Sequence, residues 1–186
     1  MHRILVFLTL LFVSQQLQAQ GLQVGSLVPD LSISELGEIR LQEEEFSYHP
    51  WTFPQDLGQL HVVQYMAATM KASELNKPFT DSLSENLAGG NFTVTTVINL
   101  DDAMWGTSGF VISEIKKNKK RYPESTMVLD KAGIGREAWQ LDKKSSAIVI
   151  VDAAGTIRYI KQGAMEAAEI ESTLEMIRQQ LAAEAS

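Results

Sequence analysis

The sequence predicts an α/β fold, a mixed central sheet flanked by helices. Three observations carry this. Short apolar runs rich in β-branched residues alternate with segments of helical period, the order that builds parallel strands joined by crossover helices. Two later runs, AIVIV and TIRYIK, flank Asp152-Ala153-Ala154-Gly155, a hairpin turn, so the sheet closes on antiparallel strands. A last segment with a single apolar stripe at helical spacing then supplies the cover that hairpin needs.

Taken in order, residues 1–19 read as a secretory signal peptide. Arg3 provides the positive start, Ile4 to Val13 is apolar except for Thr9, and Ser14 to Gln18 leads to Ala19, a small residue suited to cleavage. The run is shorter than the roughly 18 apolar residues that cross a bilayer, and no cysteine follows to carry a lipid. An uncleaved anchor is the alternative. The expectation is one exported domain over residues 20–186, with no membrane span after cleavage. Val24 to Ile33 carries Pro29 and suits an edge strand or irregular lead-in. Gly37 marks a turn. Glu43 to Gly58, with Pro50, Pro54 and the aromatics Tyr48, Trp51 and Phe53, reads as loop covering part of the core.

Leu60 to Met66 (LHVVQYM) reads as a buried strand. Leu75, Phe79, Leu83 and Leu87 give Ser73 to Leu87 a helical period, with a kink or delayed start at Pro78 and a close at Gly89-Gly90. Thr93 to Asn99 (TVTTVIN) is a second strand. Ser108 to Arg121 is a helix with Val111, Ile112 and Ile115 inward; its basic tail, KKNKKR, complements the helix dipole, an anion dock being the alternative. Thr126 to Asp130 is a third strand ended by a turn at Gly133, Ala147 to Val151 a fourth, and Thr156 to Lys161 its antiparallel partner. The last helix runs from about Met165 to Ala183 on Ile170, Leu174, Ile177 and Leu181.

Composition excludes several functions. Lys and Arg total 16 against 23 Asp and Glu, a net charge of −7. An acidic chain without a basic face is a poor partner for nucleic acid, where phosphate contacts dominate affinity. There is no cysteine, which removes disulfides, thiolate nucleophiles, thiolate metal sites and iron–sulfur clusters.

The element order resembles thioredoxin. VGSLVPDLSI is similar to the lead-in of exported thioredoxin-like and peroxiredoxin-like proteins, HVVQYMAATMKAS to the strand and loop that carry their paired cysteines, and SSAIVIVDAAGTIRYIKQGAM to the strand pair after their cis-proline loop. FSYHPW, VINLDDA, KNKKRYP, REAWQLD and SSAIVIVD, spread from about Gly21 to Leu181, resemble the YtfJ family of small periplasmic proteins. The fold class is therefore expected to be thioredoxin-like, without redox cysteines, and the resemblance implies the periplasm as the compartment. The resemblance implies no established activity. It brings a label of transcriptional regulator, a third alternative resting on the label alone, which the acidic charge, the export signal and the lack of a recognition-helix signature do not support.

In an open α/β sheet ligands sit outside the carboxyl ends of the parallel strands. The candidate cleft there comprises Met70, Ser73, Asp101, Asp102, Trp105, Ser145 and Ser146. The resemblance puts the redox pair on Met70 and Ser73 and the cis-proline on Ser146. A thioether and a serine without a base cannot exchange disulfides. Asp101 and Asp102 could hold a divalent cation or share a proton, with Asp130 and Asp142 as further oxygens, or simply cap and solvate a turn. Trp105 is a surface candidate and Trp139 a core or rim residue. Met66 and Met70 are oxidation targets or gap fillers. His49 and His61 follow the cleavage point; a nucleophile system on Ser73 would need His49 to fold over the site. Asn91-Phe92-Thr93 matches a glycosylation sequon, accidental in a bacterial protein. The leading expectation is a non-redox binding or interaction module with no cofactor, its partner a periplasmic protein or small molecule. The alternative is a metal- or small-substrate-dependent enzyme using Asp101, Asp102 and Ser73.

Overall fold

The structure, a computed structural model, describes residues 21–55, 58–103, 106 and 108–184; the signal segment expected over 1–19 and the candidate Trp105 lie outside the described residues. Among these, seven strands form one sheet: β1 (Leu31–Gln42), β2 (Glu45–Phe53), β3 (Leu60–Ala67), β4 (Phe92–Asn99), β5 (Thr126–Asp130), β6 (Ser146–Val151) and β7 (Ile157–Gln162). Their spatial order is β2-β1-β5-β4-β3-β6-β7. β3, β4 and β5 are mutually parallel neighbours, and every other pairing is antiparallel. The helices are α1 (Met70–Leu75), α2 (Lys77–Asn86), α3 (Ser108–Arg121), α4 (Ile134–Ala138) and α5 (Ala167–Glu184).

The central strands read as unbroken apolar runs because both faces of the sheet are covered. Alternation along β3 sends Val63 and Tyr65 to one face, against Trp51, Phe53, Trp139 and Val149. It sends Leu60 and Val62 to the other, against Phe79 and Leu83 of α2 and Leu174 and Ile177 of α5. α5 thus covers the closing hairpin as its stripe predicts. A third cluster, Ile39, Ile98, Leu100, Ile115 and Leu129, lies beneath α3. Each fully buried aliphatic side chain contributes about 1.5–3 kcal/mol relative to exposure, so these three layers hold the sheet on both sides.

Four expectations are corrected. The segment expected as loop over Glu43 to Gly58 contains β2, paired with β1 from Leu31↔Phe53 to Gln42↔Glu45. β2 is an edge strand, where Pro50 costs no ladder hydrogen bond. Gly37 does not end a strand: it lies inside β1 at a register shift, with φ 71°, and an added Cβ would stand 2.1 Å from the His49 carbonyl oxygen. The single helix expected over Ser73 to Leu87 is two, α1 and α2, separated at Asn76 with Pro78 in the first turn of α2. Finally, Gly133 leads into α4 rather than a simple turn. The lead-in Val24 to Ile33 is irregular as far as Asp30, apart from a bridge between Leu27 and Thr156, and β1 begins at Leu31.

Candidate functional site

The three parallel strands end in register. Ala67 pairs with Asn99 and Asn99 with Asp130, each the last residue of its strand. Asn99 and Asp130 are fully buried. Buried polar groups at a strand end require partners, and here those partners shape the loops.

Asn99 organises the turn after β4. Its Oδ1 accepts the Asp101 amide at 2.9 Å, and its Nδ2 donates to Asp102 Oδ2 at 3.0 Å. The same Asp102 oxygen accepts the Lys144 amide at 3.1 Å. Asp102 therefore ties the end of β4 to the loop before β6. Asp101 is exposed and its Oδ2 meets Arg136 Nη2 at 3.3 Å, a guanidinium whose side chain is 11% exposed. The two carboxylates serve a turn and two crosslinks, the arrangement expected when strand-end Asp does turn work.

Asp130 does the equivalent for α4. It accepts the amides of Ile134 and Gly135 at 2.9 and 2.7 Å and the Tyr65 hydroxyl at 2.8 Å. The Tyr65 oxygen in turn accepts the Arg136 amide at 2.9 Å. Burial raises the Tyr65 pKa far above the ordinary phenol value, and the adjacent Asp130 carboxylate raises it further. Gly135 permits this approach, since a Cβ there would stand 2.5 Å from Tyr65 Cε2.

After β3, Thr69 caps α1 through its hydroxyl to the Ala72 amide at 3.2 Å. Met70 is the first residue of α1 and is 86% exposed. Ser73, half-buried, donates its hydroxyl to the Met70 carbonyl at 2.8 Å. Ser146 is the first residue of β6, buried opposite Met66, and its Oγ accepts the Asn76 amide nitrogen at 3.1 Å. The Ser145 carbonyl accepts the Ala67 amide at 2.9 Å.

The structure thus connects Asp102 to the Lys144–Ser146 segment, Asp101 to Arg136, and Met70 to Ser73. It does not gather Asp130 or Asp142 with the Asp101–Asp102 pair into an oxygen cage: Asp130 faces Tyr65 and α4, and among the described residues no group of three His, Asp or Glu side chains could hold a metal ion. His49 does not fold over Ser73. It lies on the edge strand β2, its Nε2 3.0 Å from Ser47 Oγ. His61 is buried in β3, edge-on to Phe53. Trp139 is core, 1% exposed, its indole nitrogen donating to the Pro29 carbonyl at 3.3 Å. Surface hollows of about 160 and 360 Å³ lie against the N-terminal lead-in and the β1–β2 turn, lined by none of the predicted site residues. Sequence reasoning missed Asn76, Asn99, Arg136 and Tyr65. An Asn closing the β-branched run TVTTVIN was the one available signal, since a polar residue ending a buried strand must be satisfied locally.

A thioredoxin-like domain without cysteine is the class that this fold and this sequence define. The fold is shared with the structure described as a thiol:disulfide interchange protein DsbE from Chlorobium tepidum (TM-score 0.60, 15% identity, 87% of this chain and 99% of that one). It is also shared with the thioredoxin domain of a thiol-disulfide oxidoreductase from Bacteroides vulgatus (TM-score 0.54, 15% identity, 84% and 98%). The chain belongs to the family described as bacterial protein of unknown function (YtfJ_HI0045), whose model matches residues 22–180. It is 33% identical over 180 residues to the uncharacterized protein YtfJ of Escherichia coli K12, covering 96% of this chain and 98% of that one. It is 32% identical over 160 residues to an uncharacterized protein of Haemophilus influenzae, covering 86% and 87%.

Proposed function

We propose that the chain is a non-redox, thioredoxin-like binding or interaction module of the periplasm, exported by residues 1–19. The observation that carries this reading is a thioredoxin-like scaffold in a chain without cysteine; the sequence resemblance assigns Met70 and Ser73 to the dithiol positions. The turn carboxylates support it, because Asp101 and Asp102 are spent on hydrogen bonds that hold loops rather than on an open site. So do three exposed apolar side chains at the helix starts that follow the parallel strands: Met70, Phe110 at 71% exposure and Ile134.

Native mass spectrometry of the protein released gently from the periplasm tests this. The expected result is a chain beginning at Gln20 in a complex with another polypeptide, from which Phe110→Ser is released. A bare monomer, or a chain retaining Met1, counts against the module or its compartment. A small-molecule or metal adduct would move the reading to an enzyme. A dithiol-driven insulin-reduction assay should stay at the buffer rate, and turnover above it would sink the non-redox assignment.

A further inference from the structure

We propose that Met70 is an oxygen-acceptor site: its thioether takes one oxygen atom from hydrogen peroxide and returns to the thioether through a dithiol-dependent sulfoxide reductase. The step balances within its two reactants. The O–O bond of the peroxide breaks, an S–O bond forms, the sulfur loses two electrons, and the peroxide leaves as water. The reverse step consumes two thiols and releases water and a disulfide.

Three observations select Met70 among the described methionines. The first is access. At 86% exposure its side chain stands in solvent, whereas Met165 is 8% exposed and Met66, Met127 and Met176 are half-buried within the core clusters. Sulfoxidation follows access to the sulfur. The second is tolerance. The polar groups around the start of α1 are satisfied without the thioether: the Thr69 hydroxyl caps the Ala72 amide, and the Ser73 hydroxyl donates to the Met70 carbonyl. α1 is anchored through buried Ala72, not through Met70. A polar, chiral sulfoxide therefore adds no buried polar group and crowds no neighbour here, while the same change at Met165 would bury a polar oxygen in a packed core. The third is redundancy of chemistry. The chain has no cysteine, so peroxide has no thiol to attack before it reaches this sulfur.

The test is graded peroxide oxidation of the purified full chain with peptide mapping by mass spectrometry. The first oxygen is expected on Met70, about tenfold faster than on Met165. The thermal midpoint should be unchanged, and methionine sulfoxide reductase with dithiothreitol should reverse the mass gain. Met70→Leu should remove the fast phase and leave the slow one. A first oxygen on Met104 or any other methionine overturns the proposal. So does oxidation of Met70 that lowers the thermal midpoint or resists the reductase.

Discussion

The buried Tyr65–Asp130 pair shows how one hydroxyl can join two elements: it donates to the end of β5 and accepts from the first turn of α4. Tyr65→Phe should remove both links while leaving Asp130 its two amide donors. The expected loss is about 1–3 kcal/mol in urea unfolding, with α4 losing hydrogen-exchange protection. The folded pKa of Tyr65 lies above its unfolded value, so its contribution is complete below about pH 10 and is lost as pH rises beyond that. Tyr65→Phe should flatten the alkaline part of the stability profile. Asp152 has the opposite sign. Burial pushes its carboxyl up, but the Thr156 amide, the Arg158 guanidinium and the Ala154 amide together outweigh burial and hold it below the ordinary range. Its contribution is present above about pH 3.9 and is lost as pH falls further. Unfolding measured across that range should show a shallower acid slope in Asp152→Asn than in the parent.

The basic tail of α3 decides a question that composition leaves open. Four of its five charges are committed within the molecule. Lys119 is buried, and its Nζ donates to the Pro123 and Ser125 carbonyls at 2.7 and 2.6 Å, closing the chain after the helix. Lys116 lies over the Phe46 ring at 5.1 Å, Lys117 pairs with Glu114, and Lys120 pairs with Glu44 at the β1–β2 turn. The dipole reading of the run is thus sharpened into a cap and a set of tethers to the hairpin. Lys119→Ala should cost about 1–3 kcal/mol, because two carbonyls lose a charged donor, whereas Lys117→Ala should stay within about 0.5 kcal/mol as an exposed pair. Equal effects in chemical denaturation would contradict the assignment. The sequence made α3 and β5 legible to the residue, since a helical period bounded by Ser108 and Pro123 and a short apolar run closed by Asp130 are local signals. β2 was hidden for an equally physical reason: Pro50 and the aromatics around it look like loop until β1 supplies the register. α4 was hidden because five residues carry no period, and its start depends on Asp130, four residues before Ile134.

For the whole molecule, parallel β3, β4 and β5 and antiparallel β6 and β7 put α1 and the start of β6 beside the same strand end, as α1 lies against β3 and β6. If the scaffold retains the geometry of its disulfide-exchanging structural neighbours, restoring thiols should restore the bond. The double variant Met70→Cys/Ser73→Cys, one helical turn apart, should close an intramolecular disulfide under mild oxidation, with a gain of about two hydrogens' mass on reduction. Thiols that stay unpaired, or pair only between molecules, would mean that α1 holds the two positions out of bonding range.

What the sequence determined by itself was the class of fold, the order of its central elements, the absence of dithiol chemistry and the family. These rest on local periodicity, residue type and motif identity, all of which survive without coordinates. What only the tertiary structure decided was the use of the polar residues. The spacing of Asp101 and Asp102 fits a cation as well as a turn. It is the buried Asn99 beneath them, the Lys144 amide arriving from a loop more than forty residues away and the Arg136 guanidinium from α4 that commit them to the scaffold. Likewise nothing local distinguishes Met66 from Met70. One side chain is half-buried in β3 and the other stands in solvent at the start of α1, because a sheet buries both faces of its strands and leaves the loop beyond them free.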